Sequence, residues 1–226
     1  MPAHAPHFLP DPDDLAAAVT DRTRIILINS PHNPTGAVLP REILERIVEL
    51  AHRHDAIIVT DEVYEHLVYD GEHVPIASLP GAFERTLTIS SGGKTFSTTG
   101  WKVGWVSGPA ELVRAVTAVK QFLTFVNAGP FQPAIAVGLD LPDAVFEDAA
   151  ATLRRKRDLL MGGLREAGFE VFKPSAGYFV IVDAAPLGVE DAAALARRLP
   201  ELVGVVGVPV SALASRERQA DYASLM

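Results

Sequence analysis

The chain has 226 residues, and its 20 lysine and arginine residues against 28 aspartate and glutamate residues give a formal net charge of −8. This acidic balance argues against a nucleic-acid partner, because lysine and arginine supply most of the affinity for phosphates. The absence of cysteine excludes disulfides, cysteine zinc sites, iron–sulfur clusters and a thiol nucleophile, so we predict no metal site and a cytoplasmic location.

The sequence also gives no sign of a membrane partner. Its N-terminal residues lack the basic and apolar segments of a signal peptide. No stretch approaches the roughly 18 consecutive apolar residues that a membrane-spanning helix needs. With 48% hydrophobic residues, the composition is typical of a chain that buries a core.

Apolar runs and helical periodicity in the first 141 residues predict an α/β fold. The helix expected over residues 40–54 places Ile43, Leu44, Ile47 and Val48 on one apolar face. Strand, helix, strand at this spacing predicts a mostly parallel sheet with flanking helices. The predicted strands are 24–29, 56–60, 85–90 and 101–107, and the predicted helices are 40–54 and 109–125.

The pattern changes after about residue 128, which predicts a second, smaller α+β domain. A long helix is expected over residues 142–167, and its basic cluster, Arg154 to Arg157, fits a solvated helix face. Further along, the sequence predicts strands at 169–172, 178–183 and 202–210 and a helix at 191–199. We therefore place the domains at residues 1–141 and 142–226.

Four polar clusters follow predicted strands, where open α/β sheets hold their ligands. They are the segments 29–36, 61–64, 90–95 and 100–105. Within them, Lys94 follows two glycines, and a desolvated lysine amine there could bond to a carbonyl carbon. Taken singly, such residues have ordinary explanations: a loop lysine, a helix cap or a turn. The P-loop pattern fails because Thr88 stands where it needs glycine, and the penicillin-binding pattern lacks its partner motifs.

Taken together and in order, the motifs SPHNPTG, DEVY, SGGKTFSTTGWKVGW and GYFVIVD resemble the class I and II aminotransferases, which are fold-type I pyridoxal-phosphate enzymes. The pattern is most similar to kynurenine aminotransferases, cysteine-S-conjugate β-lyases, and bacterial methionine and N-succinyldiaminopimelate aminotransferases. The resemblance runs from about residue 8 to residue 210. It implies transfer of an amino group from an amino acid to a 2-oxo acid, pyridoxal phosphate as cofactor, and a homodimer in the complete enzyme.

The resemblance also implies a role for each motif residue that faces the cofactor ring. Lys94 would bind pyridoxal phosphate covalently and move the proton between the substrate Cα and the cofactor C4′. Asp61 would keep the pyridine nitrogen protonated, so that the ring accepts electrons. Tyr64 and Asn33 would donate hydrogen bonds to the 3′ oxygen.

Three more residues are placed by the same resemblance at the phosphate and the substrate. Ser91 and Lys102 would hold the phosphate. Many relatives carry arginine at the position of Lys102. A lysine there cannot form the two parallel hydrogen bonds that an arginine guanidinium makes to a phosphate. Tyr178 would line the substrate pocket.

The resemblance further implies parts that we do not find in this chain. A phosphate loop and an aromatic ring that stacks on the cofactor would precede SPHNPTG, and a carboxylate-binding arginine would follow in an R-F-x-F strand; Arg216 and Arg218 do not match that motif. We therefore expect a partial large cofactor domain at 1–141 and an incomplete small domain at 142–226. A catalytically incompetent fragment and a β-lyase on the same scaffold remain alternatives to an aminotransferase.

Overall fold

The computed structural model describes residues 3–226, which form seven α-helices and six strands. The strands are β1 (Ile25–Asn29), β2 (Ile57–Asp61), β3 (Thr86–Ser91), β4 (Gly104–Ser107), β5 (Glu170–Phe172) and β6 (Ile181–Asp183). The helices are α1 (Pro12–Ala18), α2 (Arg41–Arg53), α3 (Gly92–Thr95), α4 (Ala110–Leu123), α5 (Gln132–Leu139), α6 (Asp143–Glu166) and α7 (Ala192–Val203). No helix in this described part is long and apolar enough to cross a membrane.

The main sheet has the order β1-β2-β3-β4. Strands β1, β2 and β3 are parallel, and β4 runs antiparallel to β3 at the edge. A separate antiparallel pair, β5 and β6, lies in the second half of the chain. The prediction of a mostly parallel sheet with flanking helices is therefore confirmed.

The main core forms where α2 covers the sheet. Its apolar face, with Ile47 and Leu50 almost fully buried, packs near Ile58 of β2 and Ile76. Burying one such side chain contributes roughly 1.5–3 kcal/mol, so this contact holds the helix on the sheet. Strand β2 alternates between the two faces of the sheet, and this alternation determines which of its polar residues are buried.

Three sequence predictions about strands were wrong in extent or kind. The strand expected over 178–183 begins only at Ile181. The strand expected over 202–210 does not form. Helix α7 continues to Val203, and Val205 and Val206 are exposed, because no strand in the described residues lies beside them to complete a sheet. The strand expected over 101–107 begins only at Gly104, since Thr99–Trp101 forms a 3₁₀ turn and Lys102 has a left-handed φ of 54°.

Contacts between the two halves of the chain bring a distant loop to the sheet. The backbone N–H groups of Tyr69 and Asp70 donate to the carbonyl of Ser175 at 3.0 and 3.1 Å. Arg157, predicted to lie on a solvated helix face, is instead buried; it pairs with Asp70 and donates to the carbonyl of Pro174 at 2.9 Å. These contacts hold the loop before β6 against the turn that follows β2.

Candidate active site

The sheet topology gathers the predicted site residues at one edge. Because β1, β2 and β3 are parallel, their carboxyl ends lie side by side, with Asn29 opposite Asp61 and Asp61 opposite Ile89. Asn33, Tyr64 and Lys94 each follow one of these ends by three or four residues. Residues that are far apart in sequence therefore meet at one place.

The loop after β1 is held by hydrogen bonds from Asn29. Its Oδ1 accepts the N–H of Asn33 at 2.8 Å, and its Nδ2 donates to the carbonyl of Asp61 at 2.9 Å. His32 Nδ1 and Thr35 Oγ1 lie 2.8 Å apart in the same loop, and burial lowers the pKa of His32. This anchoring presents the Asn33 amide toward the turn after β2.

The turn after β2 carries Asp61 and Tyr64. Oδ1 of Asp61 accepts the N–H of Val63 at 3.3 Å, which shapes the turn. Tyr64 is only 2% exposed, and Asn33 Nδ2 donates to its hydroxyl at 3.1 Å. Burial, together with the hydrogen bond that Tyr64 donates to Tyr178, raises the pKa of Tyr64. Tyr64 is therefore a neutral phenol at ordinary pH.

Lys94 lies in the short helix α3, directly after β3. Its Nζ donates to the hydroxyl of Tyr178 at 3.0 Å and lies 5.8 Å from the centre of the Tyr64 ring. Gly92 is buried, and a Cβ there would meet Cδ1 of Ile135 at 2.7 Å. Gly92, two residues before Lys94, thus allows α5 to pack closely against the helix that carries the amine.

A continuous chain of hydrogen bonds links the predicted residues on the cofactor side. Asn33 donates to Tyr64, Tyr64 donates to Tyr178 at 3.3 Å, and Lys94 donates to Tyr178. Burial raises the pKa of Tyr178, but the hydrogen bonds from Lys94 and Tyr64 and the charge of Lys94 outweigh it, so the net pKa lies below its ordinary value. The structure therefore joins four residues from four separate segments of the chain.

The two predicted phosphate ligands lie beside this chain and are not hydrogen-bonded to it. Ser91 Oγ donates to the carbonyl of Val103 at 3.4 Å, next to Lys102. Lys102 is exposed; its carbonyl accepts Asn127 Nδ2 at 2.8 Å, and its ammonium has no partner among residues 3–226. Pairing of β3 with β4 keeps the two segments together, with Ser91 opposite Gly104.

Behind the turn lies a buried carboxylate that the sequence analysis did not identify. Glu62, which is 4% exposed, accepts hydrogen bonds from Thr60 Oγ1 at 3.0 Å, His73 Nε2 at 2.9 Å and the N–H of Ile76 at 3.3 Å. The two-residue period of β2 could have revealed it, because Ile58, Thr60 and Glu62 all point to the buried face.

A second glutamate connects the same turn to the end of β3. Glu65 accepts a hydrogen bond from Ser90 Oγ, and Ser90 Oγ in turn accepts the N–H of Ser91 at 2.7 Å. Burial raises the pKa of Glu65, and its second oxygen is buried without a hydrogen-bond partner in the described residues. Glu65 thus fixes the segment that leads into Lys94.

The donor set at this edge fits pyridoxal phosphate. An amine, Lys94, suits the aldehyde; a carboxylate, Asp61, suits the ring nitrogen; and the paired donors Asn33 and Tyr64, 3.1 Å apart, can share the 3′ oxygen. A hydroxyl and an ammonium, from Ser91 and Lys102, lie where two neighbouring strands meet and suit the phosphate.

A cavity of about 490 Å³ lies next to Asn33. His32, Thr35, Arg218 and Tyr222 also line it, whereas Lys94 and Asp61 do not. Arg218, which the family pattern left without a role, pairs there with Asp221 at 3.2 Å. Among the residues predicted to face the cofactor ring, Asn33 alone borders this cavity in the described part of the chain.

Comparison with known proteins gives a consistent result. The family model for aminotransferase class I and II matches residues 2–219. A probable N-succinyldiaminopimelate aminotransferase from Mycobacterium tuberculosis is 50% identical over 206 residues, which cover 91% of this chain and 52% of the relative. Human kynurenine–oxoglutarate transaminase 1 is 40% identical over 207 residues, covering 88% and 47%. The chain spans about half the length of the curated relatives it matches.

Solved structures agree with the sequence relatives. The structure of N-succinyldiaminopimelate aminotransferase from Mycobacterium tuberculosis superimposes with a TM-score of 0.94 at 47% identity, covering 98% of this chain and 58% of that one. A Thermus thermophilus aspartate aminotransferase double mutant gives a TM-score of 0.81 at 37% identity, covering 97% and 55%.

Proposed function

The chain belongs to the class I and II aminotransferases and has their fold-type I architecture, and on that premise we propose that it binds pyridoxal phosphate and moves an amino group from an amino acid to a 2-oxo acid. Members of this family depend on pyridoxal phosphate. The proposal rests on one observation: Lys94 joins the hydrogen-bonded chain that also contains Tyr64 and Asn33, at the edge of the sheet that carries Asp61.

We assign the following roles to the residues around the reacting carbon. When bound, pyridoxal phosphate supplies an aldehyde and an electron-accepting ring. Lys94 would provide the amine for the aldehyde carbon and, once the substrate amine has displaced it there, would take the proton from the substrate Cα. The Asp61 carboxylate holds a proton on the ring nitrogen. Tyr64 and Asn33, which already lie 3.1 Å apart, orient the ring by donating to its 3′ oxygen.

Ser91 and Lys102 bind the phosphate in this proposal. Lys102 acts as a point charge on an exposed, left-handed turn, so it attracts the phosphate without fixing its rotation. The pairing of β3 with β4 supplies the rigidity that the Lys102 side chain lacks. We therefore assign orientation mainly to the ring contacts and affinity mainly to the phosphate contacts.

The test is covalent capture of the cofactor. The 226-residue chain is mixed with pyridoxal phosphate, reduced with borohydride, digested and analysed by mass spectrometry. We expect a pyridoxyl group on the Lys94 peptide of the wild type and none in Lys94→Ala. Lys102→Ala should keep the label but need more cofactor, and Lys120→Ala is the matched control. Equal labelling of wild type and Lys94→Ala refutes the assignment.

Turnover is tested separately, with an amino-acid donor and a 2-oxo-acid acceptor. Because the chain spans about half the length of its relatives, the alternative is a chain that captures the cofactor without turning over. Amino transfer by the wild type that is lost in Lys94→Ala supports the enzyme. Capture without transfer supports the alternative. The choice between aminotransferase and β-lyase remains a prediction, as does the cytoplasmic location.

We further propose that the complete enzyme is a homodimer. The end of α4 and the loop after it expose a run of large apolar side chains, among them Phe122 at 86%, Leu123 at 77% and Phe125 at 71%. Soluble monomers rarely expose such a contiguous patch, so a second copy is the occupant that this family suggests. Light scattering after gel filtration should give a dimer for the wild type and a monomer for Phe122→Asp. A monomeric wild type contradicts the proposal for this chain.

The division at residue 141 is likewise proposed. This division is supported by the order of the elements: the four-stranded sheet precedes α6 in the chain, and the two-stranded sheet follows it. The N-terminal residue Phe8 nevertheless packs with Ile181 and Leu225 of the second half. We therefore describe the units as a large cofactor domain at 1–141 and a small domain at 142–226, with the first residues of the chain packed on the small one.

A further inference from the structure

Tyr178 reaches the site from the second half of the chain, 84 residues from Lys94. Its hydroxyl oxygen accepts two hydrogen bonds, from Lys94 Nζ at 3.0 Å and from the Tyr64 hydroxyl at 3.3 Å. The Tyr64 and Tyr178 rings meet edge to face, with centres 5.5 Å apart. The phenol oxygen of Tyr178 is therefore fixed between a cationic donor and a neutral one.

This arrangement favours ionisation of Tyr178 over Tyr64. Two donors on one oxygen stabilise negative charge there, whereas Tyr64, which in the cofactor-free chain donates its proton to Tyr178, is kept neutral. The nearby charges act in the same direction: Lys94 faces Tyr178 directly, and Asp61 opposes ionisation of Tyr64. The acidic phenol of the pair is thus the one that touches the amine.

We propose that Tyr178 and Lys94 share one proton and that Tyr178 is the residue that receives the proton Lys94 must lose before it can act as a nucleophile. In the step, an N–H bond of the Lys94 ammonium breaks and an O–H bond forms on the Tyr178 phenolate. The ammonium and the phenolate become an amine and a phenol, both charges disappear, and no third reactant is needed. This inference rests on the proposed function of Lys94.

The consequence is that one site can prepare the amine without help from solvent. Lys94 needs a lone pair to bond to a carbonyl carbon or to take a proton from a substrate Cα. In the singly deprotonated pair, the ammonium–phenolate and amine–phenol forms interconvert across the 3.0 Å hydrogen bond. The second half of the chain thereby supplies a group that touches the reacting atom.

The first measurement follows Tyr178 itself, in the cofactor-free chain. Carbon-13 NMR of the tyrosine Cζ atoms resolves the four tyrosines, and Tyr178→Phe identifies the signal. We expect Tyr178 to titrate below the ordinary value of about 10, and its midpoint to rise by about one pH unit or more in Lys94→Met, the usual effect of removing an adjacent opposite charge. Tyr222 is the internal control. An unchanged Tyr178 midpoint in Lys94→Met overturns the proposal.

The second measurement follows the amine and stays informative even if Lys94→Met does not fold. Trace acetylation across pH, mapped by mass spectrometry, reports the nucleophilic fraction of Lys94. Because the Lys94 ammonium and the Tyr178 phenolate stabilise each other, the pair holds the amine protonated to higher pH, so Tyr178→Phe should move the Lys94 midpoint to lower pH. Tyr69→Phe is the matched control and should leave the midpoint in place. Identical profiles for wild type and Tyr178→Phe overturn the proposal.

Neither measurement uses pyridoxal phosphate, so their failure is distinguishable from failure of the proposed function. A chain that shows the coupling and captures no cofactor would refute only the proposed function. A chain that captures cofactor at Lys94 and shows no coupling would refute only the role of Tyr178.

Discussion

Removal of the Glu62 side chain should destabilise the turn that presents Asp61. Three donors reach this buried carboxylate, from Thr60 at 3.0 Å, His73 at 2.9 Å and Ile76 at 3.3 Å. Loss of one partner from a buried charged network costs about 3–5 kcal/mol, since the remaining groups stay buried without water. We therefore expect Glu62→Ala to lower the free energy of unfolding by about 4 kcal/mol, a large part of the roughly 5–15 kcal/mol of a typical protein.

Urea unfolding followed by circular dichroism measures this loss, and thermal unfolding should show a Tm about 8–16 °C lower. Glu62→Gln keeps an oxygen for Thr60 and Ile76 and sets an amide against His73 Nε2, so it should cost only about 1–2 kcal/mol. Glu45→Ala is the control, because this glutamate forms an exposed pair with Arg41 that contributes about 0–1 kcal/mol. Equal stability of Glu62→Ala and Glu45→Ala would refute the reasoning.

Two further predictions concern the segments around the site. Burial raises the pKa of Glu65, so the folded state binds the Glu65 proton more tightly than the unfolded state does. Glu65 therefore destabilises the folded state increasingly as the pH rises above about 4.5, the pKa of this group in the unfolded chain. Glu65→Gln should therefore gain stability relative to wild type in urea at pH 8 and show no gain at pH 4; a gain of the same size at both would contradict this. Gly36 has a φ of +67°, and a Cβ there would meet Pro174 Cβ at 2.4 Å, so Gly36→Ala should cost about 1–3 kcal/mol more than Gly71→Ala, which has a φ of +87° and no atom within 4 Å. Equal unfolding midpoints for the two variants would show that the contact with Pro174 relaxes freely.

Much of the sheet edge that we propose as the cofactor site could be predicted, because its residues lie in local motifs next to strands. Asn33, Asp61 and Lys94 each follow an apolar run at short distance, and parallel strands bring their carboxyl ends together. The bounds of strands β1, β2 and β3 were predicted within one or two residues for the same reason. Short runs of Ile, Val and Leu bounded by polar residues usually form buried strands in an α/β fold. The roles of the individual residues toward pyridoxal phosphate stay proposals.

Other features could not be read from local pattern because they depend on partners that are distant in sequence. Arg157 stands in a run of four basic residues that suggests a solvated face, yet it is 5% exposed because Asp70 and the carbonyl of Pro174 meet it from other segments. Val205 and Val206 have the composition of a strand, but a strand also requires a neighbour to accept its hydrogen bonds. The burial of a charged residue and the formation of a strand both depend on which distant segments pack against them, and the periodicity of the sequence does not encode this.

The sequence alone determined the family, the α/β architecture and the chemical types available at the strand ends, because motifs and apolar periodicity are local properties of the chain. The tertiary structure alone decided which of those groups touch. It placed Tyr178 within 3.0 Å of Lys94, buried Glu62 and partly buried Glu65 behind the turn, and left Lys102 exposed beside Ser91. Hydrogen bonds act over about 3 Å, so their pairing is set by how distant segments pack rather than by the order of residues along the chain.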